Sequence, residues 1–215
     1  MLSAPTLDDL RAASATFTSL GAVDRATREL DDVTHGALDL AAPGHADALL
    51  RWLNAWGCRI RIPRQGEATP FQDAVGAWWA EWGGAMPSRP LARLGERDIA
   101  RLGAAHDALS ALPVTAGAPV RSLASTAAAK MLFALRPRAV MPWDAAIALA
   151  LHAARDGNAF ARHQRLGREW ASAILAGTSL TERQVSVAVG RPGATLAKLL
   201  DEYCYVRITY RGRAR

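Results

Sequence analysis

Cysteine is scarce, with only Cys58 and Cys204 in 215 residues. The N-terminus, MLSAPTLDDLRAAS, has no basic start leading into an apolar core, so no export signal is expected. Two distant cysteines in a chain without such a signal are expected to be buried thiols in a reducing cytoplasm, not a disulfide. No apolar run reaches the length of a membrane span before Arg, Asp or Gly breaks it, and no membrane partner is expected. The five histidines, at 35, 45, 106, 152 and 163, form neither HExxH nor a Cys/His ligand spacing. No metal and no cofactor are therefore expected. Lysine is almost missing, with Lys130 and Lys198 the only two among 26 basic residues. A lysine-based mechanism has few candidates. GRPGATLAKLL (190–200) lacks the GK[ST] of a phosphate loop, and there is neither an internal repeat nor strand–helix alternation.

What is present is helical. Thr6 reads as an N-cap with Asp9 three residues on. Apolar spacing of three and four marks 45–56, 70–84 and 96–112, with Pro70 near one start and Gly57 and Gly83 at two ends. The pattern resumes over 122–135, 143–155, 158–176, 181–190 and 192–203. PVTAGAP (113–119) reads as a loop, and the tail YCYVRITYRGRAR as a short extended piece with a disordered basic end over 206–215. The fold class is all-α, a single two-lobed domain over 1–215 with a soft boundary near 113–120. Charge divides at the same place. Residues 1–120 hold 11 basic and 14 acidic side chains, a balance of −3, and residues 121–215 hold 15 and 6, a balance of +9. A basic half is the footprint of a polyanion binder, or a solvated arginine-rich surface.

The informative unit is STAAAKMLFALRPRAVMPWDAAI (125–147), a helix, a connection broken at Arg136-Pro137, and a second helix opening at Pro142-Trp143-Asp144. Asp144 faces unpaired N–H groups and the positive end of a helix dipole. It can be a cap, a catalytic carboxylate, or both. Lys130 is either a structural charge on an amphipathic helix or, as the minority reading, a nucleophile. The tryptophans of the acidic half read as packing.

About 25 residues here resemble the helix-hairpin-helix DNA glycosylase superfamily, of the endonuclease III, adenine glycosylase and 8-oxoguanine glycosylase types. Ser125-Thr126-Ala127 resembles the helix start of the adenine glycosylase type, and Pro142-Trp143-Asp144-Ala145-Ala146-Ile147 resembles the segment around the catalytic aspartate. The resemblance implies base removal by N-glycosidic bond hydrolysis, with Asp144 as the catalytic carboxylate and double-stranded DNA as the partner. Trp143, Arg121, Arg136 and Arg138 are then the substrate-binding candidates. It implies a monomer, cytoplasmic or associated with the nucleoid.

The chain departs from the family at two places. Val120-Arg121-Ser122-Leu123 stands where the family has its hairpin glycines, which let backbone approach a phosphate. The Schiff-base lysine position of bifunctional members falls on or near Ser125. Lys130 is five residues further on, about 140° around the helix. The implied activity is therefore monofunctional, without strand cleavage. Two alternatives stand beside it: a non-catalytic module that keeps the fold and binds nucleic acid or protein, and a helical enzyme acting on a small nucleoside-like substrate.

Overall fold

The computed structural model describes residues 2–20, 23–115 and 119–213. Among them there are ten helices of eight or more residues and no sheet. They are α1 Leu7–Ser19, α2 Val23–Thr34, α3 His45–Ala55, α4 Pro70–Trp82, α5 Glu96–Ala111, α6 Ala124–Leu135, α7 Ala145–His152, α8 Gly157–Thr178, α9 Glu182–Val189 and α10 Leu196–Cys204. The capping chemistry explains several starts. Thr6 accepts from the Asp9 amide while the Asp9 carboxylate accepts from the Thr6 amide. Asp156, Thr181 and Thr195 cap α8, α9 and α10 through their side chains. α2 has no counterpart in the apolar spacing, because it is charge-rich and buries only a narrow stripe against α3.

The segment after Cys204 is not extended. A π-helical turn, Tyr205–Tyr210, continues α10 and leads into a last helical turn, Arg211–Arg213. Its alternating Val206 and Ile208 suggested a strand, yet Val206 and Thr209 are buried against helices. Residues 214 and 215 lie outside the described residues, as do 116–118 of the loop. What the structure describes of that loop includes an antiparallel bridge between Pro113 and Ser122.

α5 and α8 form the central pair, with α6 against α5 and α7 against α8. Gly103 of α5 and Gly157 of α8 bring the two backbones together: a Cβ on Gly103 would stand 2.6 Å from the Gly157 carbonyl oxygen. α1, from the start of the chain, packs on α9 and α10 from its end, and α3 packs on α6. Helices from both sides of 113–120 therefore share one apolar core. Among the described residues no helix is long and apolar enough to cross a membrane.

Candidate functional site

The connection from Arg136 to Asp144 runs through the interior, with Ala139, Val140, Met141 and Trp143 buried. Buried backbone needs partners, and α8 supplies them. The Met141 amide donates to Gln164 Oε1 at 2.9 Å, and Gln164 Nε2 donates to the Met141 carbonyl at 2.9 Å. His163 Nε2 donates to the Pro142 carbonyl at 3.2 Å, which leaves Nδ1 to accept from His152 Nε2 at 3.1 Å. Burial depresses both imidazoles, His163 to about 3 with the neighbouring His152 adding to it, and His152 to about 4. Both rings are therefore neutral near pH 7, as this hydrogen-bond chain requires.

This clamp delivers Asp144 to the start of α7. Its Oδ1 accepts from the Ile147 amide at 2.9 Å, a helix cap. Its Oδ2 accepts from the Thr209 hydroxyl at 2.7 Å, from the π-helical turn. Asp144 is half-buried, and among the described residues no cation pairs with it. It lines a cleft of about 850 Å³ formed by the end of α1, the end of α3, one face of α6, the start of α7, Asp201 of α10 and the C-terminal turn. That volume falls in the range of sites that enclose a nucleotide-sized ligand.

Both lysines lie against Trp56, but only Lys130 lines the cleft; Lys198 is buried behind that ring. Lys130 Nζ donates to the Trp56 carbonyl at 2.6 Å and lies 5.5 Å from the Trp56 ring centre. Lys198 Nζ lies 4.7 Å from the same ring and 4.2 Å from Phe17. It pairs with Asp201 at 2.8 Å and stands 3.8 Å from Glu202. Glu202 is fully buried, also bonded to Ser14 and 3.2 Å from Arg191, and its burial holds the carboxyl above its ordinary range.

The remaining sequence candidates are elsewhere. Trp143 is 1 % exposed and is wedged edge-on against His106 and Phe160. Its edge meets the cleft, but the ring is core and offers no face for a base to stack on. Ser125 is beside the cleft, not on it; its hydroxyl is 3.2 Å from His106 Nε2, while Thr126 forms the wall. Arg121 is exposed on the short bridge and does not line the cleft. Arg136 is a structural staple: its guanidinium donates to the carbonyls of Leu135 and Gly83 and covers Trp79. Arg138 is at the surface, 3.5 Å from Glu182.

The sequence reading missed Thr209, Trp56, Asp201 and Arg59 as cleft residues. Lys198 carried a signal, as one of only two lysines. Thr209 carried none, because its role depends on a turn that local patterning did not reveal. Among the described residues no group of three or more His, Cys, Asp or Glu side chains is placed to hold a metal. Comparison of the chain with protein-family models, curated proteins and solved structures finds no match.

Proposed function

We propose that the protein hydrolyses the N-glycosidic bond of a nucleotide unit, with Asp144 as the carboxylate facing the sugar and duplex DNA as the substrate class. One observation carries this reading. Asp144 gives one oxygen to the helix cap, while the other stands at the wall of a ligand-sized cleft, held by a hydroxyl and, among the described residues, not neutralised by a cation. A carboxylate so placed suits a reaction that develops positive charge on a sugar. The C1′–N bond breaks with its electron pair passing to the base. Water adds to C1′, and its proton passes through Asp144 or solvent to the base nitrogen, so the products are the free base and a C1′ hydroxyl. No lysine is needed, in keeping with Ser125 near the family lysine position. The +9 balance of residues 121–215 favours a polyanionic substrate.

A second reading, a small nucleoside-like substrate, is favoured by the three arginines expected on DNA. Arg121, Arg136 and Arg138 all lie off the cleft, and two of them are engaged within the protein. The test is base release from a panel of damaged duplexes and from free nucleosides, by wild type and Asp144→Asn. Release from duplex that falls at least a hundredfold in the variant supports the first reading. Release from free nucleosides alone supports the second. No release from either, with duplex binding unchanged by the substitution, leaves a binding module and sinks both.

A further inference from the structure

Four basic or acidic groups line the cleft: Arg59, Lys130, Asp144 and Asp201. Asp201 is neutralised by Lys198. Lys130 and Arg59 are not paired with any carboxylate among the described residues. Lys130 is half-buried, and its ammonium gives one proton to the Trp56 carbonyl, leaving two N–H groups without a hydrogen-bond partner among the described residues. A partly desolvated ammonium without a counter-ion is costly unless an anion joins it.

Arg59 adds an independent observation. It sits three residues after Trp56 with φ +55°, in the left-handed region, and Gly57 between them has φ +80°. A non-glycine residue there is strained, because its Cβ crowds the backbone carbonyl. Such strain persists where the surroundings fix it, and it clusters at ligand sites. Here the bend brings the Arg59 side chain onto the same cleft as Lys130, where it makes no hydrogen bond or ion pair among the described residues. A guanidinium and an ammonium on one cleft, neither paired with a carboxylate among the described residues, match the oxygens of a phosphate.

We infer that Lys130 and Arg59 form a phosphate subsite in the cleft, holding the phosphate of the nucleotide unit whose glycosidic bond lies at Asp144. The choice of a nucleotide rests on the proposed glycosidic activity; the anion subsite does not. The phosphate can be the monoester of a free nucleotide or the diester of a DNA strand.

Titration calorimetry on the full chain separates these sources. The probes are deoxyadenosine, deoxyadenosine 5′-monophosphate, inorganic phosphate, and a short single-stranded oligodeoxynucleotide. A phosphate-bearing nucleotide probe is expected to bind at least tenfold more tightly than deoxyadenosine. Binding of the monophosphate points to a free nucleotide, binding of the oligonucleotide alone to DNA, and either supports the subsite. Arg59→Gly is expected to weaken that binding roughly tenfold. Glycine accepts the left-handed φ, so the fold is undisturbed and Tm does not fall. Lys130→Gln should act alike, and Lys130→Arg should retain most of the affinity.

The subsite is overturned if no phosphate-bearing probe binds, if nucleoside and nucleotide bind equally, or if Arg59→Gly and Lys130→Gln leave affinity unchanged. The two proposals fail separately. Phosphate binding without base release by wild type ends the glycosidic reading and keeps the subsite. Base release indifferent to both substitutions ends the subsite and keeps the activity.

Discussion

Asp144 holds two roles that its two oxygens keep apart. The cap role can be tested without the chemistry. Asparagine also caps well, so Asp144→Asn should leave thermal stability within about 1 kcal/mol of wild type, whereas Asp144→Ala should lose about 1 kcal/mol more. Equal melting of the two variants would show that the Ile147 bond contributes nothing. At this scale the sequence was legible where local chemistry decides: an acid before an apolar helix is a cap wherever the helix goes. It was not legible for Trp143. Whether an aromatic ring faces a cleft or a core is set by what packs on it, here Phe160 and His106 from helices that begin far away in sequence.

The buried histidines make a residue-scale prediction about acid. His163 has a folded pKa of about 3 against an ordinary 6.5, so between those values the unfolded chain binds more protons than the fold. Stability is therefore full above pH 6.5 and is lost as pH falls toward 3, by a few kcal/mol from this one ring. Urea denaturation at pH 7 and pH 5 should show the loss. His163→Gln, which cannot take up a proton, should be less stable at pH 7 but should lose less between the two pH values. An unchanged pH slope in the variant would remove His163 as the cause.

Among the elements, helix periodicity and caps marked nine of the ten helices, because a wide apolar face and a Ser/Thr/Asp start are both local features. α2 and the C-terminal turn escaped for opposite reasons. α2 is too charged to show a broad apolar face, while Val206 and Ile208 alternate as a strand would and sit in a helical turn packed on α1, α7 and α10. The α5–α8 pair was legible as two helices but not as a crossing, since a glycine inside a helix reads only as a weak spot. Gly103→Ala should force α8 away from α5, because the added methyl would stand 2.6 Å from a backbone oxygen that cannot swing aside. The expected loss is about 2 kcal/mol, in the range for overpacking. The control is Gly76→Ala, whose Cβ would meet nothing within 4 Å and which should gain slightly from helix propensity. Equal stabilities would show that the helices can part without cost.

At the scale of the whole molecule, the cleft exists because the two ends of the chain fold together. Arg207 pairs with Asp9 at 3.0 Å, Ser14 bonds Glu202, and Phe17 of α1 covers Lys198 of α10. Lys198 is the hub, holding Asp201 and Glu202 beneath Trp56 and Phe17 at 8 % exposure. Removing one partner of a buried ionic group strands the others, so Lys198→Met should cost about 3–5 kcal/mol, far more than the loss of a surface pair. The deficit has a pH signature. With Lys198 gone and only Arg191 left beside it, Glu202, already held above the ordinary carboxyl range by burial, should rise further. The folded variant then binds more protons than its unfolded chain between the ordinary and the raised value, so its stability improves as pH falls through that window. The histidine effect runs the other way and is common to both proteins. The difference between variant and wild type, measured by urea denaturation from pH 7 to pH 5, should therefore shrink. A constant difference would mean that the lysine contributes packing and not charge.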